Sequence, residues 1–378
     1  MKKSILLAPN SFKECADSVE IASVINKLII DRANFTIIQK PLSDGGDGFL
    51  SIAKLLFSCS DIIYSIIRCY EDQLENKTIL FDKNFNRIFI ESANLFGLKV
   101  VPEEFRNPMK LNSNSLGSIL KKIELDVINK RQIVDEVIIG IGGTATLDFG
   151  IGACSQLGLK LFDKVGKELV PIPQNFSSVA KIIWVKQNLS FKVKCIVDVE
   201  TDLIGNPGAL EIYGKQKGAS DLEIVEIKAG IKNLLNILKR DSNFKIPEKL
   251  NGAGGGLAAG LNLFLGAEII KAEDFILNYI LEGINLNSID AVITGEGRFD
   301  FQSFEGKGAG VILNLFKNKS IPIFLINGAT DLPPNIKLPK NVKIINLIDF
   351  FKTKEESIKN FRIGLAKAAE IAITHLKK

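Results

Sequence analysis

Short apolar runs alternate with stretches of helical periodicity at both ends of the chain. Residues 4–8 form one such run and stop at Pro9-Asn10-Ser11, the pattern of a buried parallel strand entering a loop. Asp17, with Glu20 three residues on, marks a helix start, and Val19, Ile21, Val24, Ile25, Leu28 and Ile29 supply its apolar face. A second strand at 35–38 leads into Ser43-Asp44-Gly45-Gly46-Asp47-Gly48, after which Phe49, Ile52, Ala53 and Leu56 recur at helical spacing. This β-α-β-α order predicts an open parallel sheet with its loops at the strand ends.

The texture changes near residue 60. Segments 61–70, 77–81 and 87–91 are rich in Ile, Phe and Thr with polar turns between them, which predicts strands of a different sheet. A helix at 116–129 precedes a strand at 136–141, and a strand at 195–199 carries Asp198 with Glu200 just beyond. The glycine run 251–256 opens a helix faced by Leu257, Leu261, Phe264 and Leu265. Strand-loop-helix units then return with strands at 289–294, 321–326 and 342–348 and a final helix from about residue 354. The pattern predicts one discontinuous α/β domain, 1–60 plus 286–378, holding a second α/β domain at 61–285.

Composition narrows the chemistry. There is one histidine, His375, so histidine triads, histidine-rich zinc sites and histidine general bases are excluded. The 48 basic and 43 acidic residues are interspersed, without the basic, aromatic-laced stretches that nucleic-acid binding calls for. The five cysteines form no CxxC pair and read as idle thiols of a reducing cytoplasm. The apolar run behind Met1-Lys2-Lys3 ends at Pro9, too soon for a signal segment, and no stretch is long enough to span a membrane. A soluble, cytoplasmic protein is expected.

Five strand-end loops combine glycine with an acid, a hydroxyl or a base. Each alone is ordinary turn punctuation; together they point to a ligand site at the carboxyl ends of the strands. In the first two, Ser11 and Lys13 suit an anionic substrate, while Asp44 and Asp47 suit a hydroxyl, Mg²⁺ or a simple helix cap. Gly140-Ile141-Gly142-Gly143-Thr144-Ala145-Thr146 has the composition of a phosphate cradle. It also fits the dinucleotide pattern GxGxxA with Asp163 beyond it, the seed of a rival reading as an NAD-dependent oxidoreductase. The run containing Gly254 and Gly255 fits the same loose pattern. No Walker A loop exists, because Gly306-Lys307 is followed by Gly308 and Gly214-Lys215 by Gln216. Glu296, Arg298 and Asp300 gather around glycines, and Arg298 suits a carboxylate or phosphate, or a surface ion pair. Asp198 follows an apolar strand directly, where a cap, an ion pair, a metal ligand or a base are all open.

In order along nearly the whole chain, these segments resemble the bacterial-type glycerate kinase family. The stretches that carry the resemblance are 8–13, 43–48, 140–148, 214–219, 252–260 and 293–300 with Gly306-Lys307. Departures are Asn10 and Glu14 in the first, Leu147 in the third, and Thr201 where the family has Asn-Pro after the Asp198 strand. The resemblance implies a Rossmann-like domain built from both termini, an inserted α/β domain and an active site in the cleft between them. It implies ATP- and Mg²⁺-dependent phosphorylation of D-glycerate, with 2-phosphoglycerate favoured over 3-phosphoglycerate, and allows a homodimer. On that inventory Asp198, Asp44 and Lys307 are the candidate catalytic residues, Asp198 also the Mg²⁺ ligand. Ser11, Lys13 and Arg298 are the candidates for glycerate, and Gly142, Gly143, Thr144, Gly254, Gly255 and Glu296 for the nucleotide. A noncatalytic small-acid-binding regulator is the other alternative.

Overall fold

The computed structural model describes residues 2–377 except 13–14, 33–34, 72, 186–187, 242–243, 305, 307 and 334–335. Cα packing divides the chain into two units, Met1–Asp44 with Lys271–Lys378, and Gly45–Ile270.

The first unit is built on a five-stranded sheet, parallel throughout. Its order is Val342–Asn346, Ile323–Asn327, Ala291–Gly295, Ser4–Pro9, Thr36–Gln39. The strands are near-continuous apolar runs because helices cover both faces of the sheet centre; Ile5, Leu6, Leu7, Val292 and Ile293 are fully buried. Ile5 and Leu7 join Ile21, Ile25, Leu365 and Ala368 of the helices Ser18–Arg32 and Phe361–Leu376 in one core. Asp17 caps the first of these by accepting from the Glu20 N–H at 2.8 Å, as its spacing predicted. Numbered along the chain the sheet reads 2-1-3-4-5, so the order reverses between Ser4–Pro9 and Ala291–Gly295, where an open α/β sheet places its ligands. Thr294 Oγ1 donates to the Ala8 carbonyl at 2.7 Å and pins these two strands together. Gly295 ends the third strand so close to its neighbour that a Cβ there would stand 1.6 Å from the Ile326 carbonyl oxygen.

The second unit centres on a six-stranded sheet ordered Glu268–Lys271, Lys192–Val197, Glu136–Ile141, Arg87–Glu91, Leu74–Asp82, Cys59–Ile67. Its middle strands, Lys192–Val197, Glu136–Ile141 and Arg87–Glu91, are parallel and apolar on both faces. The hairpin strands Cys59–Ile67 and Leu74–Asp82 are antiparallel and alternate in exposure, as a half-solvated sheet edge does. The helix Asn114–Ile128 covers one face through Leu116, Ile119 and Ile123. A second core gathers Phe149, Phe176, Ile227 and Ile231 around the helix Asp221–Asp241.

Three expectations shift. The unit boundaries fall at 44/45 and 270/271 rather than at 60/61 and 285/286. The helix Phe49–Leu56 accounts for the first: Phe49 packs edge-on against Phe89 at 6.0 Å, and Phe57 stacks on the same ring at 5.1 Å. The strand expected over 195–199 ends at Val197, leaving Asp198 in the following loop. The single C-terminal helix is two, Lys354–Lys359 and Phe361–Leu376, broken at Asn360.

Candidate active site

The candidate residues fall into two groups, one in each unit. In the first unit Ser11 and Glu296 follow the carboxyl ends of the two strands that flank the reversal. Asn10 is buried; its N–H donates to the Gly295 carbonyl at 2.8 Å, and its Oδ1 accepts from the Ser11 N–H at 2.9 Å. The Glu296 N–H donates to Asn327 Oδ1 at 3.2 Å, and Asn327 Nδ2 donates to Thr330 Oγ1 at 3.0 Å. Arg298 is exposed and already engaged: its guanidinium meets Asp331, and Nε lies 3.7 Å from Asp300. Lys13 and Lys307 lie outside the described residues. Asp44 is half-buried at the last position of this unit's N-terminal segment.

In the second unit three glycine loops meet at one end of the parallel strands. A Cβ at Gly45 would stand 2.7 Å from the Ile196 carbonyl oxygen, and one at Gly142 would stand 2.7 Å from the Gly46 Cα. Loop 45–47 therefore lies against the ends of Lys192–Val197 and Glu136–Ile141. The run 252–256 closes the group, since Asn251 Nδ2 donates to the Val199 carbonyl at 3.0 Å, beside Asp198. Gly255 has φ +71° and passes within 2.2 Å, measured from an added Cβ, of the Thr146 carbonyl oxygen; only glycine fits that crossing. Thus Gly142, Gly143, Thr144, Gly254, Gly255 and Asp198 share one end of one sheet. Asp198 is half-buried there.

Two carboxylates that the sequence reading missed already occupy helix N-termini in this group. Glu91 is buried and accepts from the Gly48 N–H at 3.2 Å and the Leu50 N–H at 3.0 Å, at the start of Phe49–Leu56. Burial pushes its carboxyl up, against the pull of those amides. Asp148 is fully buried and accepts from Ser113 N–H and Oγ at 2.8 and 2.7 Å and from the Gly152 N–H at 3.0 Å. Burial raises it too, opposed by the same donors. An anion bound in this group must therefore use loop amides rather than these two helix ends. Among the described residues nothing accepts from the amides of Gly142, Gly143 or Thr144.

The dinucleotide reading loses its footing in the same region. Asp163 sits in a hairpin turn of a separate three-stranded antiparallel sheet, where its Oδ1 accepts from the Val165 and Lys167 amides at 3.0 and 2.9 Å. It is not the strand-end acid of a βαβ unit. His375, in the last turn of its helix, is exposed with Lys343 Nζ 2.7 Å from Nε2. Among the described residues no cluster of three acidic, histidine or cysteine side chains is arranged to hold a metal, and no helix is long and apolar enough to cross a membrane.

Glycine loops with acids gather at the carboxyl ends of parallel strands, the place where an open α/β fold binds its ligands. Comparison with known proteins narrows this. The sequence profile of the glycerate kinase family matches residues 5–377. The chain is 30% identical over 335 residues to a glycerate kinase of Halalkalibacterium halodurans, covering 86% of this chain and 85% of that one. It is 31% identical over 335 residues to the glycerate 2-kinase of Escherichia coli, with 86% and 85% covered. The crystal structure of a candidate glycerate kinase 2 from Salmonella typhimurium superposes with a TM-score of 0.78 at 26% identity, covering 100% of this chain and 99% of that one. The chain belongs to the glycerate kinase family and is a kinase acting on a hydroxyl group.

Proposed function

We propose that this enzyme transfers the γ-phosphoryl group of ATP to the 2-hydroxyl of D-glycerate. The observation that carries the reading is the convergence of loops 45–47, 142–144 and 252–256 with Asp198 at one end of the six-stranded sheet. Amides of 142–144, with Gly254 and Gly255 opposite, would take phosphate oxygens. Phosphoryl transfer asks mainly for positioning and neutralised charge, and no histidine is required for either.

Mg²⁺ takes one or two carboxylates together with substrate phosphates, and Asp198, half-buried just past a strand end, fits that role. When bound, the ion would neutralise charge on the phosphates. Asp198 would alternatively accept the hydroxyl proton. In the first unit, Ser11 and Lys13 are assigned to the glycerate carboxylate and Asp44 to a hydroxyl. Arg298 would assist only through the guanidinium edge that Asp331 and Asp300 leave open. Glu296 is assigned to the nucleotide and Lys307 to charge stabilisation. A reducing cytoplasm suits five cysteines that are all free thiols.

A coupled ADP-release assay tests the reading with D-glycerate, L-glycerate and hydroxypyruvate, with phosphorus NMR of the product. ADP release with D-glycerate and a 2-phosphoglycerate signal are expected. A 3-phosphoglycerate signal would overturn the regiochemistry, and no ADP release would overturn the activity.

A further inference from the structure

Lys217 is a buried cation that none of the assignments above uses. It closes the short turn Lys215–Lys217, and the next residue, Gly218, crosses the Arg106 carbonyl so tightly that an added Cβ would stand 2.9 Å from its oxygen. That crossing fixes the turn. Lys215 points to solvent and pairs with Asp221, while Lys217 is turned inward and is 5% exposed. Its Nζ donates to Thr144 Oγ1 at 2.9 Å and to the Thr146 carbonyl at 3.0 Å. Both acceptors belong to the glycine loop, and both residues are buried. Among the described residues no carboxylate oxygen lies within ion-pair distance of this ammonium. The field of Asp148 reaches it and favours the proton. Burial nevertheless pushes its pKa down to about 7.

A neutral side chain of the same length would fill this space without the cost of burying a charge. What only an ammonium supplies is positive charge directly behind the loop, and a donor that leaves the Thr144 hydroxyl proton free to point elsewhere. We propose that Lys217 is a positioning residue for the nucleotide: it fixes loop 142–146 from behind and holds a positive charge against the phosphates that the loop amides receive. The proposal rests on the reading of 142–144 as a nucleotide loop. It assigns Lys217 to ATP and not to the acid substrate.

The test measures KM for ATP, KM for glycerate, kcat and thermal stability in Lys217→Met, Lys217→Arg and Thr144→Val across pH 6 to 9. Lys217→Met is expected to raise KM for ATP at least tenfold at pH 7, to change KM for glycerate less than twofold, and not to lower the melting temperature. In the wild type, kcat/KM for ATP should fall as pH rises through the free-enzyme pKa near 7. Lys217→Arg should move that fall to higher pH. An unchanged KM for ATP in Lys217→Met, or equal rises for both substrates with a lowered melting temperature, would overturn the proposal. If Lys217→Met does not fold, the wild-type profile against Lys217→Arg decides: coincident profiles overturn the proposal, and a displaced limb supports it. Thr144→Val separates the two layers. If KM for ATP is unchanged there, the loop reading itself has failed; if it rises while Lys217→Met is silent, only the role of Lys217 has failed.

Discussion

Asp198 stands one residue beyond its strand, and exchanging its carboxylate for an amide removes the charge while keeping the shape. Asp198→Asn should lower kcat by about 10²–10⁴, the span that a lost proton acceptor commands. Near-wild-type turnover in the ADP-release assay would remove Asp198 from the mechanism. Lys217 makes a prediction of a different kind. Folding lowers its pKa from 10.5 to about 7, so between those values the unfolded chain binds more protons than the folded one, and stability rises with pH. Below about pH 7 both states hold the proton, and the cost of burying the charge, on the order of a few kcal/mol, weighs fully on the fold. Melting curves from pH 7 to 10 should rise less steeply in Lys217→Met than in the wild type, with the variant the more stable at pH 7. Single residues are the scale at which sequence pattern says least. An acid directly after an apolar strand singled out Asp198, and Glu91 ends its strand with the same pattern. What separates them is the helix whose amides Glu91 accepts, a partner 41 residues away that local spacing does not reveal.

Among the elements, strands and loops read well because their signals are local: apolar runs broken by glycine. The strands Ser4–Pro9, Glu136–Ile141 and Ile323–Asn327 lie within a residue or two of expectation. The longest helix, Asp221–Asp241, went unread, since charged residues punctuate it and its apolar stripe is completed by distant Phe149 and Phe176. The break at Asn360 was equally silent, because the apolar spacing runs through it. Loop composition pointed to phosphate binding, yet at two helix starts the ligand is internal. Glu91→Ala should therefore cost about 1–2 kcal/mol as the Gly48 and Leu50 amides lose their acceptor. Glu91→Gln, which keeps an accepting oxygen, should cost less. Urea titration checks both: the midpoint should move with the slope unchanged.

For the whole molecule, the discontinuous layout was legible because both ends share one strand-loop-helix style. The boundary was not, because Phe49–Leu56 follows the first unit in sequence but packs on the second unit's sheet through Phe49 and Phe89. This distinction can be measured. A fragment of residues 45–270 should melt cooperatively and show no turnover. A fragment of 61–285 lacks Phe49 and Phe57, leaves Phe89 uncovered, and should not melt cooperatively. Circular dichroism of the two settles where the unit begins.

The insertion point also dictates a timetable during synthesis. Strands Ser4–Pro9 and Thr36–Gln39 leave the ribosome first, but Ser4–Pro9 pairs on its other side with Ala291–Gly295, which follows only after the whole of Gly45–Ile270. Ser4–Pro9, an interior strand of the first sheet, must therefore wait, apolar and half-paired, while at least the 226 residues of the intervening unit are translated. At about 5–20 residues per second that delay lasts on the order of tens of seconds. The intervening unit can fold in that time, and the nascent amino-terminal strands are where a chaperone would have to stand guard.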